Sequence, residues 1–321
     1  MRKVRTASVF AVMALTASVS ACVSADDVTV RTSVGSGEIT FTETDEAADI
    51  GIEELTGYVT GTIKNLDGLK ELHGFADVSA DISLKADENT EMPVKVNMTG
   101  TLSKDGSCSY MDAHYSYDVM GNTGEDSREV YTWEEEGVTY MARSGSDGWK
   151  VSASGKFDDF TSSLKYALDE HEMDSFVLSG LLPNMYELDG KKYYICVYDA
   201  DTMLDEADKL EAAAAYTGMF GDTLKENGAK AVIAIDAGSW LPRAVSFDAS
   251  GASGSLPGFM FDSENDITFT ANDLYATLLL EASTDAVEIP EEVLNTAVSE
   301  DDSFDPSQVF TGLGSLGFGE G

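Results

Sequence analysis

One spacing in the chain matches a known nucleophile motif. Ser162 and Lys165 stand three residues apart, as in the SxxK element of acyl-serine enzymes. The KTG element that accompanies SxxK in those enzymes is absent from the sequence, and both residues fall on a predicted helix. The sequence also lacks a GxSxG elbow, a P-loop, an HExxH pair and a CxxC pair. We therefore interpret Ser162 and Lys165 as a chance match and expect no catalytic residues and no enzyme activity.

Two acidic clusters carry the hard oxygen ligands that calcium prefers. Asp199 and Asp201 stand at alternate positions, and so do Asp262, Glu264 and Asp266. Neither cluster continues as an EF-hand loop, which needs Gly at its sixth position and Glu at its twelfth. Such spacings arise by chance in a chain with 58 acidic residues, so we expect a solvated acidic surface, no metal and no cofactor.

Histidine and cysteine chemistry has few candidates. The three histidines, His73, His114 and His171, are far apart in the sequence, and we interpret them as surface or hydrogen-bonded side chains. Cys108 and Cys196 each fall in a predicted strand, where we expect two separate thiols that pack as small apolar residues. The alternative is a disulfide, which an exported protein can form if the two strands are neighbours.

The first 22 residues predict export and lipid anchoring. Three basic residues in the first five positions precede an apolar stretch, Val9–Leu15, that is too short to span a bilayer. The stretch leads to Val19-Ser20-Ala21 followed directly by Cys22, which resembles the lipobox of bacterial lipoproteins. In that group the Cys is acylated and becomes the mature N-terminus. We therefore expect residues 1–21 to be a signal peptide and Cys22 to anchor the protein to the extracytoplasmic face of the cell membrane. An ordinary secretory signal is the alternative.

The charge of the chain excludes several classes of partner. The sequence has 58 Asp and Glu against 20 Lys and Arg, a formal net charge of −38. Nucleic-acid binding needs clustered basic residues, and docking by charge on an anionic membrane needs them too. Cleavage before Cys22 would remove three basic residues, so the mature charge becomes −38 − 3 = −41. We expect no nucleic-acid partner, and the lipid must hold the protein against electrostatic repulsion.

Composition divides the chain into three parts after the signal peptide. Residues 22–49 are rich in Ser, Thr, Asp and Glu and predict a flexible acidic tether, although Val28–Val30 and Ile39–Phe41 are alternatives as short strands. Residues 298–321 predict an acidic, Gly-rich tail. The 50–297 segment between them is long enough to bury a large core as one domain.

Strict alternation of apolar and polar residues dominates that domain. It follows the even positions of Ala76–Leu84 and of Val94–Leu102 and the odd positions of Met111–Val119. Period-two alternation predicts antiparallel strands with one apolar face. Asp105-Gly106 and Asp189-Gly190 are typical of the turns between such strands. Further predicted strands are Val130–Trp133, Val138–Ala142, Tyr193–Val197, Ala231–Ile235, Ala244–Ala249, Ile267–Ala271 and Tyr275–Leu280.

Helical periodicity is less common. Apolar residues recur at helical spacing in Ile52–Leu66, Phe157–His171 and Met203–Ala214. Strands grouped in runs between these helices predict an α+β fold with an antiparallel sheet.

Three short motifs give the chain a family resemblance. An N-terminal amphipathic helix leads into the alternating strands and then to Gly148-Trp149. Leu241-Pro242 follows a strand and a short turn, and Val287–Val293 contains an I-P-x-x-V segment. Over residues 50–297 the chain resembles extracytoplasmic lipoproteins of the LolA-like superfamily, as an uncharacterised Gram-positive-type member.

The resemblance implies a specific architecture and use. It implies a strongly curved antiparallel sheet, an incomplete β-barrel, with helices covering its concave face. Relatives hold the acyl chains of lipids or lipoproteins in that concavity, and no catalytic residues carry over. The predicted ligand-binding residues are Val78, Ile82, Val96, Met98, Tyr115, Tyr117, Phe160, Leu164, Leu168, Met203 and Leu210.

These observations predict a monomeric, membrane-anchored, non-enzymatic binder or carrier of a lipid or other hydrophobic small molecule. The alternative is a structural or interaction lipoprotein with a filled core, whose polyanionic surface contacts cell-envelope components.

Overall fold

The fold is described from a computed structural model of the chain. The described residues are 27–35, 37–64, 71–87, 90–106, 108–119, 121–145, 148–154, 178–199, 225, 228–256, 266–282 and 286–299. Their elements are β1 (Val28–Arg31), β2 (Glu38–Ala47), α1 (Ile52–Lys64), β3 (Glu71–Asp87), β4 (Thr90–Asp105), β5 (Cys108–Val119), β6 (Asn122–Glu135), β7 (Val138–Arg143), β8 (Lys150–Ser154), β9 (Asn184–Leu188), β10 (Lys191–Asp199), β11 (Lys230–Asp236), β12 (Pro242–Asp248), β13 (Ser253–Leu256), β14 (Ile267–Glu281), α2 (Glu291–Leu294) and β15 (Val298–Ser299).

The predicted α+β class with helices over a concave face is wrong. Strands make up 67% of the described residues and helices 9%, and the strands form one large open sheet. Within the described residues the helices are α1 and α2, and they do not cover a concave face. The predicted helix over 52–66 is confirmed as α1, whereas those over 157–171 and 203–214 lie outside the described residues.

The sheet runs in the order β1-β2-β9-β10-β11-β12-β14-β3-β4-β5-β6-β7-β8-β15, and β13 also pairs with β14. The pairing is antiparallel throughout the described ladders, except that β15 runs parallel to β8. The longest ladders join β14, β3, β4, β5 and β6. Three of them, β3, β4 and β5, contain the segments with the strictest alternation, because a period of two matches the pleat of a strand.

Tight turns set the register of several hairpins. Asp189 and Gly190 join β9 to β10, and both have a positive φ (52° and 75°), as a two-residue type I′ turn requires. Gly106 has φ 58° after β4, so both turns predicted from Asp-Gly pairs are confirmed. The predicted strands over 267–271 and 275–280 are one strand, β14, whose pairing with β3 shifts register between Ala271 and Asp273. Such a shift marks a β-bulge.

The two faces of the sheet carry different covers. On one face, called the helix face below, α1 packs Leu55, Val59 and Ile63 against Ile233 and Ile235. Acidic residues in the first turn of α1 complement its N-terminal dipole. The opposite face is called the hairpin face, because the β1–β2 hairpin packs on it. The sheet therefore has a core on each face.

The hairpin corrects the predicted tether. Val30 and Phe41 are 1% and 0% exposed, and β1 lies against β12 and β14. Residues 28–47 thus include two strands of the sheet, so the short-strand alternative applies and the segment between Cys22 and the first strand is much shorter than 22–49.

The turn between β11 and β12 contains the segment behind the family resemblance. Asp236 Oδ1 accepts hydrogen bonds from the backbone N–H groups of Gly238 (2.9 Å) and Ser239 (2.7 Å). Trp240 has φ 61°, which is unfavourable for a large side chain. Its ring stacks on that of Tyr58 with centroids 4.4 Å apart, so the stack and the Asp236 cap hold the strained turn against α1.

Candidate functional site

Pairing of β3, β4 and β5 brings six of the predicted binding residues together. Val78 lies opposite Met98, which lies opposite Tyr115. One row along, Val96 lies opposite Tyr117. Ile82 follows on the same side of β3, because alternate residues of a strand share a face. All six side chains are on the helix face and half-buried. The alternation thus placed these residues on one face, and their role in ligand binding stays a prediction.

The other predicted ligand residues and the lipidation site are not placed. Phe160, Leu164, Leu168, Met203 and Leu210 lie outside the described residues, and so does Cys22.

A glycine on β6 shapes the end of this apolar surface. Gly124 lies opposite Tyr117, whose ring rests over the backbone. A Cβ added at Gly124 would come within 2.6 Å of the Tyr117 ring. The missing side chain is what lets Tyr117 lie across β6.

We expect Gly124→Ala to displace the Tyr117 ring and to lower the free energy of unfolding by about 1 kcal/mol, the cost of modest overpacking. Gly100→Ala is the matched control on the same face, because its Cβ would meet Asp112 O at 3.4 Å, an ordinary contact. Chemical denaturation measures both variants. An equal loss in the two would contradict the role assigned to the Tyr117–Gly124 contact.

Polar residues border the apolar surface, and the sequence interpretation missed them. The Tyr115 hydroxyl donates a hydrogen bond to Asp126 Oδ2 at 2.8 Å, and Arg128 Nε donates to the same oxygen at 3.2 Å. Burial alone would raise the pKa of Asp126, but the bonds from Tyr115 and Arg128 lower it overall. Burial and then Asp126 raise the pKa of Tyr115. Gly124, Asp126 and Arg128 share one face of β6 by their alternate positions, which was the available signal for this polar border.

The hairpin face holds a second polar cluster, centred on Arg31. Its Nη2 lies 2.5 Å from Asp273 Oδ1 and its Nη1 donates to Ser250 Oγ at 2.6 Å. Asp248 Oδ1 is 3.9 Å from Nη1, and Arg31 Cζ lies 4.7 Å from the centre of the Tyr275 ring. One sequence signal existed: Arg31 is the single basic residue between Arg5 and Lys64.

Two buried residues extend the Arg31 cluster into the sheet. Asp77, 2% exposed, accepts hydrogen bonds from the Tyr275 hydroxyl (3.2 Å) and from the Ser33 backbone N–H. Burial, followed by Asp77, raises the pKa of Tyr275 to about 12. The Ser79 hydroxyl donates to Asp273 Oδ2 at 2.7 Å. Every carboxylate in the cluster has donors, which suits a buried structural network that fastens the hairpin.

The cysteines behave as small core residues. Among the described residues no disulfide joins Cys108 and Cys196, as expected from the sequence. Cys196 is fully buried on the helix face, where burial raises the pKa of its thiol to about 12. The thiol is therefore protonated at neutral pH and unsuited to nucleophilic attack.

The described ranges offer no candidate for metal coordination or for a membrane-crossing helix. There, no group of three or more His, Cys, Asp or Glu side chains is arranged to hold a metal ion. No helix in the same ranges combines the length and apolar character needed to cross a bilayer.

Comparison with known proteins returned no protein-family model and no curated protein that matches the chain. Membership of the LolA-like superfamily stays a prediction, and the helix-covered fold expected from it is the part that the structure corrects.

Proposed function

We propose that this protein is a membrane-anchored extracytoplasmic lipoprotein that binds a lipid or another hydrophobic ligand without catalysing a reaction. One observation supports the binding role most. Val78, Val96, Met98, Tyr115 and Tyr117 form a contiguous apolar surface across three paired strands and are only partly buried. Isolated exposed apolar residues are ordinary, but contiguous apolar patches are typical of ligand or interaction sites.

The energetics of such a site are those of apolar burial. Removing apolar surface from water contributes about 25 cal/mol per Å², so an acyl chain that covers roughly 200 Å² of this surface gains about 5 kcal/mol. The Tyr115–Asp126–Arg128 border offers a hydroxyl, a carboxylate and a guanidinium beside the apolar surface. A polar headgroup at that border would orient the chain.

The position of β1 constrains the anchored protein. Its first residue, Val28, is six positions after Cys22, and six residues span at most roughly 20 Å when fully extended. A lipid on Cys22 would therefore keep the sheet close to the bilayer, although the mature chain carries a charge of −38 − 3 = −41.

We expect Met98→Gln to weaken binding of a fluorescent fatty acid about tenfold, because a ligand would then bury an unsatisfied amide. Gln is close to Met in size, so packing changes little. Thr99→Gln is the matched control, since Thr99 is the next residue and points to the hairpin face. Fluorescence titration of both purified variants measures the difference.

Native mass spectrometry with lipid extraction provides the second measurement. Absence of bound lipid together with absence of fatty-acid affinity would contradict the binding role. That outcome would favour the alternative, a structural lipoprotein. Packing of Leu55, Val59 and Ile63 on the helix face supports that alternative, because it shows that part of this face is already filled.

A further inference from the structure

The hairpin face of β4, β5 and β6 carries a polar groove of about 480 Å³, a volume in the range of small-molecule sites. In the sheet order the groove lies between two covered regions. The β1–β2 hairpin contacts β12 and β14 on one side, and Val293 of α2 packs against Trp133 and Val151 on the other. Six polar side chains line the groove in two rows of paired residues: Asn97, Ser116 and Glu125, then Thr99, His114 and Ser127.

Most of these side chains are not used by the protein itself. Within the described residues, four of the six form no hydrogen bond and no ion pair, namely those of Thr99, Ser116, Glu125 and Ser127. Polar side chains beneath the hairpin on the same face are different. The Ser246 and Thr277 oxygens are 3.0 Å apart, and Thr277 donates to Arg31 O at 2.7 Å. In the groove, by contrast, the hydrogen-bonding groups remain available to a ligand.

The other two side chains of the groove are each held at one end. Asn97 Oδ1 lies 3.1 Å from the Ser79 hydroxyl oxygen, so the Nδ2 group of the amide remains available as a donor. Asp112 Oδ2 lies 2.9 Å from His114 Nε2. Because an ionised carboxylate only accepts, Nε2 carries the proton and Nδ1 of the neutral imidazole is an acceptor. The groove therefore offers an oriented donor and an oriented acceptor beside three hydroxyls that can do either.

The charge of the lining narrows the class of ligand. The six side chains include one carboxylate, that of Glu125, and no Lys or Arg. Phosphate and carboxylate ligands need such cations, so an anionic ligand is disfavoured. A simple cation would use Glu125 and leave the hydroxyls of the lining without partners. Each hydroxyl group of a sugar both donates and accepts, so a neutral sugar matches the whole array.

We propose that this groove binds a neutral disaccharide, whose hydroxyl groups donate to the Glu125 carboxylate and form hydrogen bonds with Thr99 and Ser127. Neighbouring strands are about 4.8 Å apart, and residues two apart on a strand are about 6.8 Å apart. The two rows therefore cover about 10 by 7 Å, an area that one or two sugar rings can cover. The site is on the face opposite to the apolar surface, so it does not depend on lipid binding.

Magnetic resonance of the histidine side chains in the purified full-length chain tests the proposal. His114 lines the groove, whereas His73 lies on β3 outside the lining. The probes are cellobiose, maltose, lactose and N,N′-diacetylchitobiose. We expect at least one of them to shift the His114 signal saturably, with a Kd of roughly 5 mM, and to leave the His73 signal unchanged. Absence of a saturable shift at His114 with all four would overturn the proposal.

Two further titrations check the chemistry of recognition. Glycerol at the same concentration of hydroxyl groups should cause no saturable shift, because it lacks the fixed arrangement of a sugar ring. The uronic acid analogue of the tightest-binding disaccharide should bind at least fivefold more weakly, because it places a second carboxylate beside Glu125. A response to glycerol equal to that of the disaccharide, or equal binding of the acid, would contradict recognition of a neutral sugar.

Thr99→Val locates the site. It keeps the size and branching of the side chain but removes the hydroxyl, and we expect affinity to fall about fivefold. Thr101→Val is the matched control, since Thr101 is on the same strand and face but lies opposite Asp112, outside the lining. Glu125→Gln should lower affinity at least tenfold, because hydrogen bonds to a charged acceptor are stronger. Equal effects at Thr99 and Thr101, or unchanged affinity in Glu125→Gln, would refute the assigned position. If a variant does not fold, the titrations of the unaltered chain still decide.

Discussion

Arg31→Met should lower the free energy of unfolding by about 2 kcal/mol and the melting temperature by about 5 °C. The substitution keeps an unbranched, flexible stem but removes the guanidinium, which lies 2.5 Å from Asp273 and donates to Ser250. Loss of one partner from a buried ion pair costs about 3–5 kcal/mol. We reduce that figure because the Arg31 side chain is 35% exposed. Thermal and urea denaturation measure the change.

Lys95→Met is the matched control. Lys95 Nζ lies 2.8 Å from Asp81 Oδ2, but the Lys95 side chain is 51% exposed. Pairs of this kind contribute little to stability because water screens them, so the unfolding midpoint should hardly move. The double variant Arg31→Met/Asp273→Asn should lose less unfolding free energy than the sum of the losses in the two single variants, because the two residues are partners. Equal, small effects at Arg31 and Lys95 would contradict a fastening role for Arg31.

Cys22→Ala should transfer the protein almost completely from the membrane fraction to the medium, or leave its signal peptide uncleaved. The proposal of lipidation rests on the basic start, the short apolar stretch and the small residues directly before Cys22. Two acyl chains hold a protein stably on a membrane, and a chain of charge −41 after cleavage has no electrostatic attraction to replace them. Fractionation with immunoblotting measures the distribution.

Cys108→Ala is the control for Cys22→Ala, because Cys108 begins β5 within the folded sheet. We expect this variant to stay with the membrane. Metabolic labelling with a fatty acid adds an independent readout, which should be lost in Cys22→Ala alone. Unchanged membrane retention of Cys22→Ala would overturn the lipoprotein assignment without bearing on either ligand site.

The helix face of β3–β5 could be predicted from the sequence because its signal is local. Each apolar residue alternates with a polar one, so knowledge of the strand direction places Val78 and Val96 on one face. The hairpin turns then bring Val78 opposite Met98. Prediction from the sequence fails where the alternation is interrupted. The bulge near Asn272 interrupts it within β14, so the sequence predicts two strands where the structure has one.

The cover of the sheet could not be predicted in the same way. Residues 28–47 look like a polar tether because their burial depends on partners far along the chain. Thr277, for example, donates a hydrogen bond to Arg31 O across 246 positions. No local periodicity records such a contact. The prediction of helices over a concavity failed for a related reason, since closure of a sheet depends on which elements pack against it.

By itself the sequence determined the acidic exterior, the candidate lipidation residue and the apolar side of the central strands. Net charge is a sum over the residues and alternation is a period along the chain, so both can be read without knowing which distant residues are in contact. Tertiary structure alone decided that β1 and β2 join the sheet and that Arg31 meets Asp273. It also decided that Asp112 faces Glu129, because register between strands is set by hydrogen bonds formed across the fold.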